Sequence, residues 1–497
     1  MKNIYQLILL PVLLLTTEAQ AEENLQVLDK FIEDYSEQVN LDIGTAVAVV
    51  KDGKIIYQGY FGHADQKAKK RVDQNTAFYI ASMTKSFFAL STLLMEHDGD
   101  INESTSMAEL FPNLSFPQID PETVTVKHLL SHTSGIDNED ITTSTAYSGL
   151  HSNAILRQQI ANVLPDRKHG LGDYNYTNMG YNILSVWADR KYAQDWQKTL
   201  AERVFGPLQM NNTSAYMSDA KRKGYVVAKP YSVLGSSMSE PYYLTKLDNT
   251  MHAAGGMIST APDLARFLIA QLDEGQIDGK QIFPAEVIAK SHNRLASTKN
   301  MDRGIRGTGY GWGWEIGEYK NEIVYSHGGG FVGARTHMSF IPAHNIGLVV
   351  LANNDLVGGR LSGAILDIAY SSLLEKGDVD AIAKVRFEKL LAAKTRTEQK
   401  VRERSKTIAR RPMVLTQDRA EYAGIFSNTL LGEIEVDLLK SKQLNIRFGN
   451  MRAIASGYTA PNQVRVDLGG TGKILKFDVH DEEVVGLTAY GRYFKKD

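Results

Sequence analysis

The stretch that decides the fold is Ala77-Phe78-Tyr79-Ile80-Ala81-Ser82-Met83-Thr84-Lys85, with the apolar run Phe87-Phe88-Ala89-Leu90 after it. An extended run followed by an apolar stretch predicts a strand that passes directly into a buried helix. If the chain is helical from Ser82 onward, Ser82 and Lys85 lie one turn apart on the same face. The Ser82 amide is then an unpaired N–H group at a helix N-terminus, which favours a developing negative charge. These residues therefore predict a serine nucleophile beside an amine.

The Ser-x-x-Lys spacing is weak evidence by itself, because short patterns recur by chance. Ser218-Asp219-Ala220-Lys221 has the same spacing, but it lies in a charged segment with no apolar helix behind it. The alternative for Ser82 is an ordinary surface pair with Lys85. The other motifs of the chain have to decide between the two.

Length and composition predict a globular protein of two or three domains. The chain has 497 residues, 43% of them hydrophobic, and a net charge of -2, which argues against a nucleic-acid partner. It has no cysteine, so it forms no disulfide, no thiolate zinc site and no lipid attachment at a cysteine. We expect a small-molecule or peptide substrate as the partner; the oligomeric state stays open.

The N-terminus has the three parts of a secretory signal peptide. Met1-Lys2-Asn3 is followed by an apolar run over residues 7–15 and then by Ala19-Gln20-Ala21. We expect residues 1–21 to be cleaved and the mature protein to be secreted or periplasmic. A stable membrane anchor is disfavoured, because the apolar run is too short to span a bilayer and contains Pro11.

Strand patterns near both ends of residues 22–378 predict one shared sheet. Residues 45–57 form a hairpin pattern with Asp52-Gly53 at its turn, and three short β-like runs lie between residues 322 and 351. The region between, from Ser82 to about Leu272, is mostly helical segments and loops, and residues 363–375 predict a closing helix. The pattern indicates an α/β domain with a helical insert.

The amino-acid composition changes after residue 378 and again after residue 412. Residues 379–412 are rich in Lys, Arg, Glu and Gln, which predicts an exposed helical linker; binding to an anionic surface is the alternative. Residues 413–497 alternate apolar and polar residues in short runs, which predicts a separate small β domain. Within it, residues 469–473 hint at a phosphate loop but lack the required spacing and helix, so we predict a hairpin turn.

A second motif offers groups that can hold and assist the lysine. Residues 173–181 are rich in polar, aromatic and turn residues, and an apolar helix pattern follows them. We expect Tyr176 and Asn178 to stand on a loop beside Ser82. Tyr319-Lys320-Asn321 has the same Tyr-x-Asn spacing, but it lies in a polar turn ahead of a strand. The alternative for Tyr176 is a tyrosine-rich surface turn.

A third motif, Ser326-His327-Gly328-Gly329-Gly330, directly follows the predicted strand Ile323-Val324-Tyr325. Glycines allow a ligand to approach the backbone, and a ligand lying along this edge can add as a strand. An N–H near Gly330 can join that of Ser82 as a second oxyanion donor, and we expect His327 to face the substrate. A glycine-rich hairpin with an incidental histidine is the alternative.

His128 and His132 have the i, i+4 spacing of a metal pair, but we predict no metal and no cofactor. No glutamate lies between them, no third ligand is evident, and Thr133-Ser134-Gly135 breaks a helix at once. Structural roles are favoured for both histidines.

Five motifs in this order resemble the class C β-lactamase-related serine hydrolases, a family with penicillin-binding DD-peptidases, D-aminopeptidases and esterases. They are Ser82-Met83-Thr84-Lys85, His128-Leu129-Leu130-Ser131-His132-Thr133-Ser134-Gly135, Tyr176-Thr177-Asn178-Met179-Gly180-Tyr181, Gly255-Gly256-Met257-Ile258-Ser259-Thr260 and His327-Gly328-Gly329. The match covers about residues 25–375. It implies a β-lactamase/transpeptidase-like α/β (α+β) fold, with an antiparallel sheet and a helical subdomain. The last part is similar to the small all-β, barrel-like domain often appended to such hydrolases.

The resemblance also implies roles for individual residues. Ser82 would be the nucleophile, Lys85 its activating partner and Tyr176 the general acid/base. Asn178, His327 and Gly329 would bind substrate, with Asn178 also bonding the lysine. The backbone amides of Ser82 and Gly330 would form the oxyanion hole.

One departure from the family narrows the expected substrate. Class C β-lactamases carry Lys-Thr-Gly where this chain has His327-Gly328-Gly329, and histidine is mostly neutral at pH 7. We therefore expect a serine hydrolase that forms a Ser82 acyl-enzyme with an ester or peptide, D-amino-acid peptides included. A β-lactamase or penicillin-binding DD-carboxypeptidase is one alternative. A non-catalytic binding protein on the same fold is the other.

Overall fold

The computed structural model describes residues 25–137, 139–235 and 237–497. The predicted signal peptide, residues 1–21, lies outside them. Within the described ranges, no helix combines the length and apolar character needed to cross a bilayer.

The chain folds into a mixed domain followed by a long helix and a β domain. The helices are α1 (Val27–Val39), α2 (Thr84–His97), α3 (Met107–Leu110), α4 (Val126–Leu130), α5 (Glu139–Thr143), α6 (Asn153–Ala161), α7 (Met179–Tyr192), α8 (Trp196–Leu200), α9 (Ser218–Lys223), α10 (Ala261–Leu272), α11 (Ala285–Ser291), α12 (Arg360–Leu373) and α13 (Val379–Arg410). The strands of the mixed domain are β1 (Thr45–Lys51), β2 (Lys54–Phe61), β3 (His63–Asp65), β4 (Lys70–Arg71), β5 (Phe78–Tyr79), β6 (Ile136–Asp137), β7 (Leu164–Pro165), β8 (Ile258–Ser259), β9 (Gln276–Ile277), β10 (Lys280–Gln281), β11 (Ala296–Ser297), β12 (Met301–Asp302), β13 (Ile305–Tyr310), β14 (Glu315–Tyr319), β15 (Glu322–Phe331), β16 (Ala334–Ile341) and β17 (Ile346–Ala352). The strands of the last domain are β18 (Gly424–Asn428), β19 (Gly432–Leu438), β20 (Leu444–Phe448), β21 (Met451–Ile454), β22 (Ser456–Gly457), β23 (Gln463–Leu468), β24 (Thr471–His480), β25 (Glu483–Ala489) and β26 (Arg492–Lys496).

One antiparallel sheet joins the two ends of the mixed domain. Its strand order is β11-β13-β14-β15-β16-β17-β1-β2, with β12 paired to β13. The β1–β2 turn uses Asp52 and Gly53, both at positive φ, which fits the predicted Asp-Gly hairpin. The last strand, β17, pairs with β1 in a register that sets Val47 opposite Val350. The prediction of one sheet shared by both ends is confirmed.

Side chains on β1 alternate between two cores because successive residues of a strand point to opposite faces. Ala46, Ala48 and Val50 belong to the core that α2 and α10 cover. Val47 and Val49 belong to the core that α1 and α12 cover. A sheet with helices on both faces explains why this strand is almost wholly apolar.

Helix α13 corrects the prediction of an exposed linker. The helix is present, but its first half packs on the mixed domain through the buried Leu390 and Ala393. The Phe387 ring also makes edge contacts with Phe31 and Tyr35 of α1. Sparse apolar residues four or three apart were enough to anchor one face of a helix whose overall composition is charged.

The C-terminal domain is a nine-stranded antiparallel sheet of order β21-β20-β19-β18-β26-β25-β24-β23-β22. Its two ends approach each other, so the sheet is nearly closed and resembles a barrel, which confirms the predicted fold class. Residues 469–470 turn between β23 and β24 at positive φ, as expected for a hairpin. Its apolar core continues into Val332, Tyr242 and Leu244 of the mixed domain.

Candidate active site

Ser82 stands in a tight turn between strand β5 and helix α2. Residues 81–83 form a single 3-10 turn, and α2 begins at Thr84 rather than at Ser82. Ala81 has a φ of 49°, a left-handed conformation that is uncommon for a residue with a side chain. The preceding Ile80 is fixed on both sides, because its N–H donates to Met257 O at 3.0 Å and its carbonyl accepts from Thr336 Oγ1 at 3.0 Å. The neighbouring strands therefore impose the strained turn that presents the serine.

Lys85 lies beneath Ser82 and is 0% exposed. Its Nζ is 3.3 Å from Ser82 Oγ, 2.8 Å from Asn178 Oδ1 and 2.6 Å from the Ala254 carbonyl oxygen. Burial holds the pKa of Lys85 well below 10.5, against a smaller opposing effect of the Glu315 carboxylate. A neutral amine has two N–H donors and one lone pair. In that deprotonated form both donors go to the two carbonyl oxygens, and the lone pair is left for the Ser82 hydroxyl.

Tyr176 lies over the lysine at the mouth of the site. Lys85 Nζ is 4.9 Å from the centre of the Tyr176 ring, and the residue keeps 39% of its surface exposed. Desolvation raises the pKa of the Tyr176 phenol well above 10, while a hydrogen bond with Ser82 opposes the shift. The exposed part of the ring weakens that desolvation, because water screens it. The pKa of the phenol still lies above 10, so the phenol is neutral at pH 7 and can donate its proton to a leaving group.

His132 positions the loop that carries Tyr176 and Asn178. Its carbonyl accepts from the Asn175 N–H at 2.8 Å, and its Nδ1 accepts from the Thr177 N–H at 3.3 Å. Its ring centre is 4.4 Å from that of Tyr176. The loop is thus held by side chain and backbone of one residue. The sequence analysis gave His132 only an unspecified structural role.

The glycine motif lies inside strand β15 instead of following it, which corrects the predicted strand end at Tyr325. A Cβ on Gly329 would lie 2.1 Å from the Ile80 carbonyl oxygen, so only glycine allows this strand to approach the Ser82 turn so closely. Gly329 is therefore buried by the protein's own backbone rather than open to substrate. Gly330 is exposed, and a Cβ there would meet nothing nearer than 3.7 Å. The open backbone beside Ser82 begins at Gly330.

His327 is buried and not open to the cleft, with 1% of the residue exposed, whereas the sequence predicted a side chain facing the substrate. Its Nδ1 lies 2.8 Å from the Gly328 carbonyl oxygen and its Nε2 lies 3.3 Å from the Tyr310 hydroxyl. The Gly328 contact requires a proton on Nδ1, and in a neutral ring this leaves the lone pair on Nε2. Burial, helped by the charge of Lys85, lowers the pKa of His327 to about 3. The histidine is a neutral wall behind Tyr176, with 6.2 Å between the ring centres.

A cavity of about 800 Å³ opens beside Tyr176. Glu315, which the sequence analysis missed, lines it together with Tyr174. Burial raises the pKa of the Glu315 carboxyl, and the charges of Arg303 and Lys85 oppose that shift. Glu315 lies on β14, twelve residues after Arg303 and outside every recognised motif, so no sequence signal marked it.

The described residues hold no cluster of side chains that could bind a metal ion. Residues 25–137, 139–235 and 237–497 contain no group of three or more histidine, cysteine or acidic side chains able to hold a metal ion. His128 Nδ1 instead accepts from the Thr125 backbone N–H at 3.2 Å, at the start of α4. The two histidines of the i, i+4 pair thus serve different local contacts.

The fold and the site together define the class of the penicillin-binding proteins and β-lactamases. An antiparallel sheet flanked by helices presents the Ser-x-x-Lys turn at a strand edge, with a tyrosine on the facing loop. The chain belongs to the Beta-lactamase family, whose profile matches residues 28–368. The resemblance to class C β-lactamase-related serine hydrolases is thereby confirmed.

Two curated relatives and two solved structures resemble the chain. Protein flp of Staphylococcus aureus (strain N315) is 27% identical over 333 residues, which are 66% of this chain and 63% of that protein. Penicillin-binding protein 4* of Bacillus subtilis (strain 168) is 28% identical over 329 residues, 63% of this chain and 68% of that protein. The octameric penicillin-binding protein homologue from Pyrococcus abyssi aligns with a TM-score of 0.59 at 21% identity over 94% of this chain and 98% of the other. SurE aligns with a TM-score of 0.54 at 18% identity over 96% and 99%. The structural likeness extends beyond the family match and includes the C-terminal region.

Proposed function

We propose that the protein is a secreted or periplasmic serine hydrolase that forms a Ser82 acyl-enzyme with a peptide or ester. Peptides of D-amino acids are among the substrates that we propose. The proposal rests on the shared family and on the buried Lys85 amine, whose Nζ lies 3.3 Å from Ser82 Oγ and whose pKa burial lowers. Export rests on the sequence pattern of residues 1–21 alone.

The geometry supports a specific order of proton transfers. Lys85 accepts the Ser82 proton as Oγ attacks the substrate carbonyl, and the amides of Ser82 and Gly330 stabilise the oxyanion. Tyr176 then gives its proton to the leaving oxygen or nitrogen. Water attacks the acyl-enzyme in the second half of the reaction, and the same groups act in reverse.

Penicillin binding is the second candidate, and a relative named penicillin-binding protein 4* favours it. The buried, neutral His327 argues against efficient β-lactam turnover. It places no cation in the cleft where class C β-lactamases have the lysine that pairs with the substrate carboxylate. We therefore propose that a penicillin acylates Ser82 slowly, without rapid hydrolysis.

Active-site labelling tests the proposal. A fluorescent fluorophosphonate should label the wild-type protein and fail to label Ser82→Ala, and mass spectrometry should find the adduct on Ser82. Ser218→Ala is the matched control, since it removes the serine of the other Ser-x-x-Lys sequence and should label normally. A short-chain nitrophenyl ester, D-aminoacyl peptides and nitrocefin then define the substrate.

Two results would overturn the assignment. Ester or peptide hydrolysis that persists undiminished in Ser82→Ala would exclude the Ser82 acyl-enzyme. A folded wild-type protein that is inert to every acylating probe would favour the non-catalytic binding protein. Rapid nitrocefin turnover would instead move the substrate assignment to β-lactams.

A further inference from the structure

A second buried lysine lies outside the machinery described above. Lys246 is 5% exposed, and its Nζ donates to the Ala146 carbonyl oxygen. Three aromatic rings surround the ammonium group: Nζ is 4.3 Å from the ring centre of Phe331, 5.2 Å from that of Tyr147 and 5.4 Å from that of Tyr79. Among the described residues, no carboxylate forms an ion pair with it.

This environment leaves the positive charge only partly compensated. An ammonium group has three donors, and a single carbonyl uses one of them. Aromatic faces attract a cation but accept no strong hydrogen bond. Burial accordingly lowers the pKa of Lys246 to about 7. If Lys246 only held the helical turn at Ala146 in place, a neighbouring anion would make it more stable, and the described residues supply no such anion.

Lys246 lines a cavity of about 180 Å³ whose other walls are mostly apolar, among them Phe78, Met217 and Pro230. Two residues place the cavity relative to the reacting serine. Tyr79 precedes Ser82 by three residues, and Phe331 directly follows Gly330. Both line the cavity, and their ring centres are 5.2 Å apart. The cavity therefore borders the two segments that carry the proposed oxyanion amides, at the Phe331 end of β15.

We propose that this cavity is the acyl-side subsite, and that Lys246 binds a carboxylate at the far end of an acyl chain whose carbonyl is attacked by Ser82. The preferred substrate is then an ester or amide whose acyl group has an apolar body and an anionic end. This inference rests on the proposed acyl-enzyme and names the substrate class for it.

The chemistry of the cavity favours this occupant over a neutral one. A carboxylate would use the free donors of Lys246 and remove the penalty of a buried unpaired cation. The apolar walls would cover the methylene groups between the two ends. A neutral alkyl acyl chain would fill the same walls but leave the ammonium group without its acceptor, which costs affinity.

Matched ester pairs test the subsite. The mono-p-nitrophenyl esters of adipate, pimelate and suberate carry a terminal carboxylate, and p-nitrophenyl alkanoates of equal chain length carry a methyl group there. In the wild-type protein, at least one carboxylate ester should exceed its alkyl partner in kcat/KM by about tenfold or more. In Lys246→Met the alkyl ester should become the better substrate. Lys221→Met, an exposed lysine elsewhere, is the control and should keep the wild-type ratio.

Specific results of these assays would overturn the proposed subsite. A wild-type preference for the alkyl esters, or a ratio that Lys246→Met leaves unchanged, overturns the subsite. If Lys246→Met fails to fold, competition in the wild-type protein decides: pimelate should inhibit hydrolysis of a neutral ester, and heptanamide at equal concentration should not. Equal inhibition by both overturns the proposal.

Failure of the proposed function has a different signature. If no ester is hydrolysed, the binding of methyl hydrogen pimelate to Ser82→Ala is measured by calorimetry, since that step needs no nucleophile. Binding there that is lost in Ser82→Ala/Lys246→Met supports the carboxylate site without the acyl-enzyme. Absence of binding overturns the site itself.

Discussion

Two buried lysines lie near the serine turn, and the groups that surround their Nζ atoms differ in kind. Lys85 has three oxygen atoms around Nζ, one of them the serine hydroxyl. Lys246 has three aromatic rings and one carbonyl oxygen. Burial lowers the pKa of both. In the roles that we propose, the oxygens around Lys85 accept from its donors and leave a lone pair for proton transfer, whereas the rings around Lys246 leave donors for a ligand.

The largest effect should come from removing the amine of Lys85. In Lys85→Met the Ser82 hydroxyl loses its proton acceptor, and kcat/KM for a nitrophenyl ester should fall by about 10³-fold or more. Fluorophosphonate labelling should slow in parallel. The same substitution at Lys246 should slow labelling by less than about tenfold, because that lysine does not contact Ser82. Equal losses at the two positions would contradict the division of roles.

Tyr176→Phe should give the next largest effect. The ring that covers Lys85 is kept, but the proton donor is lost, so kcat should fall on the order of 10²-fold. An amide substrate should suffer more than a nitrophenyl ester, whose leaving group needs little protonation. Tyr493→Phe, at an exposed position of the C-terminal domain, is the control. An unchanged amide rate in Tyr176→Phe would remove the tyrosine from the mechanism.

Gly329→Ala tests the close packing of β15 against the turn that carries Ser82. The added methyl group would meet the Ile80 carbonyl oxygen at 2.1 Å, so the free energy of unfolding should drop by about 1–3 kcal/mol. The matched change Gly330→Ala has no contact under 3.7 Å and should leave that free energy within about 0.5 kcal/mol. Urea denaturation of both variants measures the difference. Similar stabilities would show that β15 does not press on the serine turn.

Burial of the Lys246 amino group predicts that the free energy of unfolding depends on pH. Its folded pKa of about 7 lies below the value near 10.4 of an unfolded lysine. Between these values the unfolded chain holds a proton that the folded chain lacks, so stability rises with pH, and the penalty is complete below pH 7. Lys246→Met should therefore gain about 1–3 kcal/mol over the wild type near pH 6 and less near pH 10. A gain independent of pH would contradict the buried charge.

The smallest effect should be a shift in the pH profile. Because the base is neutral Lys85, kcat/KM should rise with pH through a pKa well below 10.5. The Glu315 charge raises that pKa, so Glu315→Gln should move the rising limb to lower pH. Glu318→Gln on the same strand, whose carboxylate pairs with Arg306, should leave the limb in place. A shift to higher pH would show that another group titrates.

Much of the site was predictable because its chemistry is local in sequence. Ser82 and Lys85 are separated by one helical turn, and Tyr176 and Asn178 share one short loop, so spacing alone brings each pair together. His327 was misplaced because a histidine followed by three glycines is typical of an open turn. The pairing of β15 with β16 from Tyr325 to Phe331, which no local pattern encodes, draws the motif into the sheet, where the ring is buried.

The sequence by itself determined which serine and lysine we propose as nucleophile and base, the shared sheet, the closing helix and the C-terminal β domain, since periodicity and short spacings set these within a few dozen residues. Only the tertiary structure decided the lowered pKa of Lys85, the burial of His327, the place of Glu315 and the aromatic surroundings of Lys246. Each of these depends on which distant segments exclude water from a group. Desolvation is a property of the packed chain, and no run of residues contains it.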